Sequence, residues 1–185
     1  MNFQTLKDDV CDEIRFALSK IDENELAAFI ECMLKSKTVF VIGVGRVMLM
    51  LQAFAKRIKH LGYDSYVVGE TTIPGIKEGD LLLAASGSGE TLTTVNVARL
   101  AKKQKATVAL ITASSKSTLK ELSNVVLRIP SPTKLHMPDE ISSDQPMTNL
   151  FEQSLLIFCD CLSIILQKEL KVTEEKMWEV HANLE

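Results

Sequence analysis

The sequence predicts an α/β fold: a three-layer α/β/α sandwich around a five-stranded parallel sheet. Two observations predict it. Five short runs, Thr38 to Ile42, Ser65 to Val68, Leu81 to Ala85, Thr107 to Ile111 and Val125 to Ile129, are apolar at consecutive positions rather than alternating, as strands covered on both faces require. The segments between them at about 46–61, 91–104 and 117–122 have helical spacing and are long enough to serve as crossovers, which parallel strands need.

Each element follows in chain order. Through Ser36, apolar residues recur at helical spacing (Val10, Ile14, Ala17, Leu18, then Leu26, Phe29, Ile30, Met33, Leu34), so two amphipathic helices precede the first strand. Asp22 followed by Glu25 resembles a capping box at the start of the second. Residues 69–79, with Pro74, Gly75 and Gly79, read as an irregular connection. Pro130 to Pro146 holds four prolines and is expected to be too polar to pack and too long for an ordinary connection, hence functional or mobile. A long helix is expected from about Met147 to Leu170, and a short one near Thr173 that carries Trp178 and His181.

A chain of 185 residues suits one domain. The expected division is N-terminal helices over about 2–36, an α/β core over about 37–170 and a tail helix over about 173–185, all within a single domain 1–185. With 21 Lys and Arg against 24 Asp and Glu, a formal charge of −3, the chain lacks the basic surplus of a nucleic-acid binder. The first residues offer neither a basic stretch nor an apolar one, so no secretory signal is expected. The greasiest stretch, Leu155 to Leu166, is interrupted by Asp160 and falls short of the ~20 residues of a membrane span. Cys11, Cys32, Cys159 and Cys161 show no CxxC spacing and read as buried thiols of a cytoplasmic protein.

In an open parallel sheet, ligands bind beyond the carboxyl ends of the strands. Two loops stand out there. Gly43-Val44-Gly45-Arg46 follows the first strand and opens a helix, where glycines and free amides suit an anion. Ser86-Gly87-Ser88-Gly89-Glu90-Thr91 follows the third and supplies three hydroxyls and a run of backbone donors, a composition suited to a phosphate. The plainer alternative is a capped helix start in which Ser88 or Thr91 satisfies orphan amides. A dinucleotide fingerprint would need glycine at position 48, which is Met48, although Glu70 could mimic its ribose-binding acid.

For proton transfer, Glu152 stands near the start of the long helix beside Phe151, where apolar neighbours would raise its pKa; the alternative is a solvated first-turn glutamate facing the helix dipole. His181 is either a working imidazole or a surface histidine. His60 reads as a helix C-terminal cap, and His136 has no ligand partners nearby. Without HxH, HExxH or a Cys/His cluster, no metal site is expected.

The ordered set Gly43-Val44-Gly45-Arg46, Ala55-Lys56-Arg57, Leu61-Gly62-Tyr63, Val68 to Pro74, Ser86 to Thr91, Gln145-Pro146-Met147, Leu150-Phe151-Glu152 and the ending His181-Ala182-Asn183-Leu184-Glu185 closely resembles the 6-phospho-3-hexuloisomerases of the SIS (sugar isomerase) domain superfamily. The resemblance implies a flavodoxin-like SIS domain and a cytoplasmic enzyme that interconverts 3-hexulose 6-phosphate and fructose 6-phosphate in the ribulose monophosphate route. No metal or organic cofactor is implied, and neither membrane nor nucleic acid is an expected partner. By the same resemblance Gly45, Arg46, Val47, Ser86, Gly87, Ser88, Gly89, Glu90 and Thr91 would line the substrate site, Glu152 would accept the proton and His181 would assist. Family members assemble as tetramers built from dimers, so the tail bearing His181 is expected to reach a neighbouring subunit. Val47-Met48 replaces the family's usual serine and small residue, which leaves open an isomerase for another phosphosugar or a non-catalytic sugar-phosphate sensor.

Overall fold

The computed structural model describes residues 2–184; Glu185, the last residue of the family-like ending, lies outside them. Helices α1 (Phe3–Leu18) and α2 (Glu23–Lys35) come first. The alternating core then runs β1 (Thr38–Ile42), α3 (Arg46–His60), β2 (Asp64–Val67), β3 (Leu81–Ala85), α4 (Leu92–Lys103), β4 (Thr107–Thr112), α5 (Thr118–Leu122) and β5 (Val125–Arg128), and α6 (Asn149–Glu169) and α7 (Glu174–Glu179) close the chain. The strands form one parallel sheet in the order β2-β1-β3-β4-β5. That order has its switch point between β1 and β3, so the loops after these two strands flank a crevice at the carboxyl edge.

Strand periodicity divides the core between the two faces. Val39, Val41, Leu81, Leu83, Ala109 and Ile111 point to one face and pack against α3 (Leu51, Phe54, Ile58) and α6 (Leu155, Phe158, Leu162). Phe40, Ile42, Leu82, Ala84, Val108 and Leu110 point to the other and meet α4 (Val95, Ala98, Ala101) and Leu119 of α5. Strand β3 is therefore buried throughout and β1 and β4 beyond their half-buried first residues, as expected for central strands. The edges are not: Asp64 of β2 is exposed with the rest of that strand half-buried, and only Leu127 of β5 is buried. An edge strand has one neighbour and partial cover, so five continuous apolar runs do not mean five fully covered strands.

Other expectations are corrected by packing. Asp22 caps α2, accepting from the amides of Asn24 at 2.8 Å and Glu25 at 3.0 Å. Glu25, however, does not close a capping box; its carboxylate accepts the Arg128 amide at 2.8 Å and so ties α2 to the sheet edge. The segment from Pro130 is not too polar to pack: Pro130, Ser131 and Thr133 are buried, Thr133 bonds Glu140, and Arg128 pairs with Asp139 at 2.6 Å. Of the four thiols, all free, only Cys159 is buried, and burial pushes its pKa up; Cys11 and Cys161 lie on exposed helix faces. Helix α6 spans 21 residues with a mean hydropathy of 1.5, enough by length and composition to cross a membrane, yet 56% of that window is buried within the protein, where a core helix belongs.

Candidate active site

The site assembles from three helix starts at the carboxyl edge of the sheet. After β3 the chain enters Ser86–Thr91, whose backbone is pinned from β4. The Gly87 carbonyl accepts the amides of Ala113 and Ser114, each at 3.1 Å, and the Thr112 hydroxyl at 3.2 Å. The Gly89 carbonyl accepts the Leu119 amide at 3.1 Å. Gly89 has φ +67°, and a Cβ there would lie 2.1 Å from Ser117 Oγ, so this position requires glycine.

The hydroxyls organise the turn. Ser86 Oγ accepts the Gly89 amide at 3.0 Å and faces Thr91 Oγ1 at 2.9 Å, and Ser88 Oγ accepts the Glu90 amide at 3.2 Å. Thr91, the N-cap of α4, makes no side-chain cap bond. The first-turn amides of α4 are left without a side-chain cap, which is the condition for an anion to take them and not the simply capped helix start. Glu90 turns away: its carboxylate accepts the Thr118 amide at 2.7 Å, at the start of α5.

The first glycine loop supplies the second helix start. Gly45, the N-cap of α3, has φ 63° and ψ −136°, a conformation essentially confined to glycine, and offers no side-chain cap. The two apolar residues that replace the family's usual pair pack inward: Val47 joins the α3/α6 core and Met48 packs against the Phe40 side. Val47 Cγ1 would lie 2.9 Å from a Cβ at position 43, so its bulk is accommodated by Gly43.

Helix α6 brings the acid. Phe151 is fully buried, and its ring would lie 3.5 Å from a Cβ at Gly87, so the first turn of α6, which carries Glu152, packs against the serine loop. Glu152 is only 7% exposed and is not a solvated first-turn glutamate. Arg46 Nε, from the first turn of α3, donates to its Oε2, and Thr148 Oγ1 donates to its Oε1 at 2.9 Å. Thr148 was not singled out from sequence, although a threonine four residues ahead of an acid, at a helix start, is within reach of it.

His181 is not part of this cluster within the chain. Its ring stacks on His60 at 5.4 Å and lies 5.1 Å from Trp178. His60 ends the helix that Arg46 begins, about 20 Å away at the helical rise.

Comparisons with known proteins show the family and the fold. A model of the SIS domain matches residues 33–157. A Bacillus subtilis protein named 3-hexulose-6-phosphate isomerase is 33% identical over 177 residues, covering 96% of this chain and 96% of its own. One of the same name from Mycobacterium gastri is 38% identical, covering 95% and 88%. A crystal structure from Methanococcus jannaschii, described as inferring a function of 3-hexulose-6-phosphate isomerase, superposes with a TM-score of 0.84 at 31% identity, covering 98% of this chain and 99% of that one. The sheet order, the serine loop and the buried acid thus stand in a chain that belongs to the SIS domain family and, within it, to the 6-phospho-3-hexuloisomerases.

Proposed function

We propose that the protein interconverts 3-hexulose 6-phosphate and fructose 6-phosphate through an enediol. The observation that carries the reading is the buried Glu152 carboxylate, held by Arg46 and Thr148 beside an uncapped helix start rich in hydroxyls. The relatives named above as 3-hexulose-6-phosphate isomerases support it.

The Ser86–Thr91 loop and the first turn of α4 take the phosphate. Anchoring that end sets the carbonyl end of the sugar against Glu152, and effective molarity of this kind is worth about 7–11 kcal/mol in favourable cases. Glu152 takes the proton from C2 of the 3-hexulose, giving the 2,3-enediol, and returns it to C3, while the hydroxyl proton moves between O3 and O2. Arg46 sits where charge develops on those oxygens and keeps the carboxylate oriented. Glu90, bonded to Thr118, shapes the loop rather than touching the anion.

His181 acts in a neighbouring copy. Within one chain it stands at the far end of α3 from Glu152, whereas two copies packed with α3 antiparallel bring the end of one helix to the start of the other. Leu49 of α3 and Ile157 and Ile164 of α6 are exposed apolar residues available to such an assembly, and the tetramer built from dimers is carried over from the family resemblance.

The test is carbon-bound hydrogen exchange of fructose 6-phosphate in deuterated water. Wild type should exchange at C3, and Glu152→Gln should abolish exchange while keeping the thermal stabilisation that the ligand confers. Mixed assemblies of Glu152→Gln and His181→Ala should regain activity that neither has alone. Stabilisation without exchange in the wild type would make the protein a sugar-phosphate sensor.

A further inference from the structure

We propose that Glu13, on the N-terminal helix, is a positioning residue for Glu152. It holds the last stretch of chain ahead of α6 and, through it, the Thr148 hydroxyl that orients the carboxylate. The proposal rests on the reading of Glu152 as the base.

Helix α1 packs on α6, and the Glu13 carboxylate reaches from it to three consecutive residues of the preceding connection. It accepts the Ser143 hydroxyl, the Asp144 amide at 2.9 Å and the Gln145 side-chain amide at 3.0 Å. Ser143 Oγ in turn accepts the Gln145 backbone amide at 3.1 Å, so the turn is closed on itself around the carboxylate. Burial raises the Glu13 pKa, but the hydrogen bonds from Ser143, Asp144 and Gln145 outweigh it and leave the group below its ordinary value. Charge-assisted bonds of this kind are the strong ones.

What the anchor restrains is the short link to Thr148. Pro146 fixes its own φ, and Met147 sits at φ +58°, the left-handed region that a side chain with a Cβ avoids. Its side chain is 90% exposed, so no packing of that side chain holds the conformation. The backbone is clamped instead from both sides: by α6, where the Asn149 amide donates to the Pro146 carbonyl at 3.3 Å, and by the triplet on Glu13. Release of the triplet lets Met147 relax toward negative φ. That turns the following residue, Thr148, whose hydroxyl is a direct partner of Glu152 at 2.9 Å.

The experiment uses the full chain with Glu13→Gln, whose amide presents a donor where donors already point. Two readouts are taken: amide hydrogen exchange over residues 142–152, and steady-state kinetics on fructose 6-phosphate. Exchange should quicken at Asp144 and also across Thr148 to Glu152. The kcat should fall about tenfold, within the ~10²-fold that a 1 Å misplacement can cost, with KM little changed because the phosphate loop is untouched. In a Thr148→Val background Glu13→Gln should add no further loss, since both act through one hydroxyl. If Glu13→Gln does not fold, Ser143→Ala with Gln145→Ala removes two of the three bonds from the other side, leaving only the Asp144 amide. Unchanged exchange at Thr148–Glu152, or losses that multiply between the two sites, would overturn the proposal. If the wild type turns over no ketose phosphate, the isomerase reading fails on its own, and the exchange data still decide whether Glu13 governs the Thr148–Glu152 turn.

Discussion

Gly89→Ala is the most telling perturbation of the phosphate loop, because its cost can be worked from the structure. Positive φ at a residue with a Cβ costs about 1–2 kcal/mol. At Gly89 the added Cβ would also lie 2.1 Å from Ser117 Oγ and 2.4 Å from Ser117 Cβ. Ser117 is buried and caps α5 by accepting the Lys120 amide at 3.2 Å, so it cannot swing aside without disturbing that helix start. Overpacking of this kind adds about 1–3 kcal/mol, for a total of ~2–5 kcal/mol. Gly62→Ala is the reference: its φ is +94°, but nothing lies within 4 Å of the new Cβ, so only the conformational part applies. Denaturant unfolding should show Gly89→Ala losing about 1–3 kcal/mol more than Gly62→Ala. Ser117→Gly should rescue part of the difference in the double variant. Fructose 6-phosphate should stabilise Gly62→Ala as it does wild type, and Gly89→Ala much less. Equal losses for the two glycine variants would refute the argument that Ser117 leaves room for hydrogen only.

Three further outcomes are expected. Ser88→Ala with Thr91→Ala should keep the fold by circular dichroism and lose most of the thermal stabilisation by fructose 6-phosphate, while unphosphorylated fructose stabilises neither protein. Phe151→Ala should destabilise by about 3–5 kcal/mol in denaturant, since the ring is fully buried, and should lower activity further because the same ring packs the first turn of α6 against Gly87. Burial raises the Tyr63 pKa to about 12, and its hydroxyl donates to the Met33 carbonyl at 3.1 Å. A raised folded value means its contribution is complete below the unfolded value and is lost as pH climbs through about 12, so the absorbance change that Tyr63→Phe removes from the native protein should lie near 12 and not at the ordinary tyrosine value of about 10.

Sequence reading and structure part company where contacts span the chain. The central strands β1 and β3 are placed to the residue, because continuous burial leaves an unbroken apolar run. The start of α6 falls at Asn149, not Met147, since Pro146 and the left-handed Met147 hold the chain out of the helix. The serine loop is legible because three hydroxyls in six residues exceed what capping needs. Arg46 was legible as a loop residue near an anion, but its bond to Glu152 joins positions 106 apart, and Glu13 reaches Ser143 across 130. No periodicity reports such a pair. The capping-box reading of Glu25 fails for the same reason: Arg128, 103 residues on, offers a sheet-edge amide that a local motif does not foresee.

With a net charge of −3, the proposed binding of a dianion next to a buried carboxylate requires the repulsion to be offset locally. Each helix N-terminus carries roughly half a positive charge, and α3, α4 and α6 all begin at this edge. Gly45 and Thr91 leave the first two without side-chain caps, which is the condition for an anion to bind there. At the third, the N-cap Thr148 spends its hydroxyl on Glu152 instead of on its own backbone, and Arg46 supplies the full cation from the neighbouring helix. Two unit charges 4 Å apart interact by about 4 kcal/mol at a near-surface effective dielectric of 20, an upper bound for Arg46 because its side chain is 57% exposed and solvent screens it. The proposed division of labour is thus electrostatic before it is chemical: helix ends without side-chain caps are the ones proposed to receive the substrate, and the one whose cap is redirected holds the group proposed to move its proton.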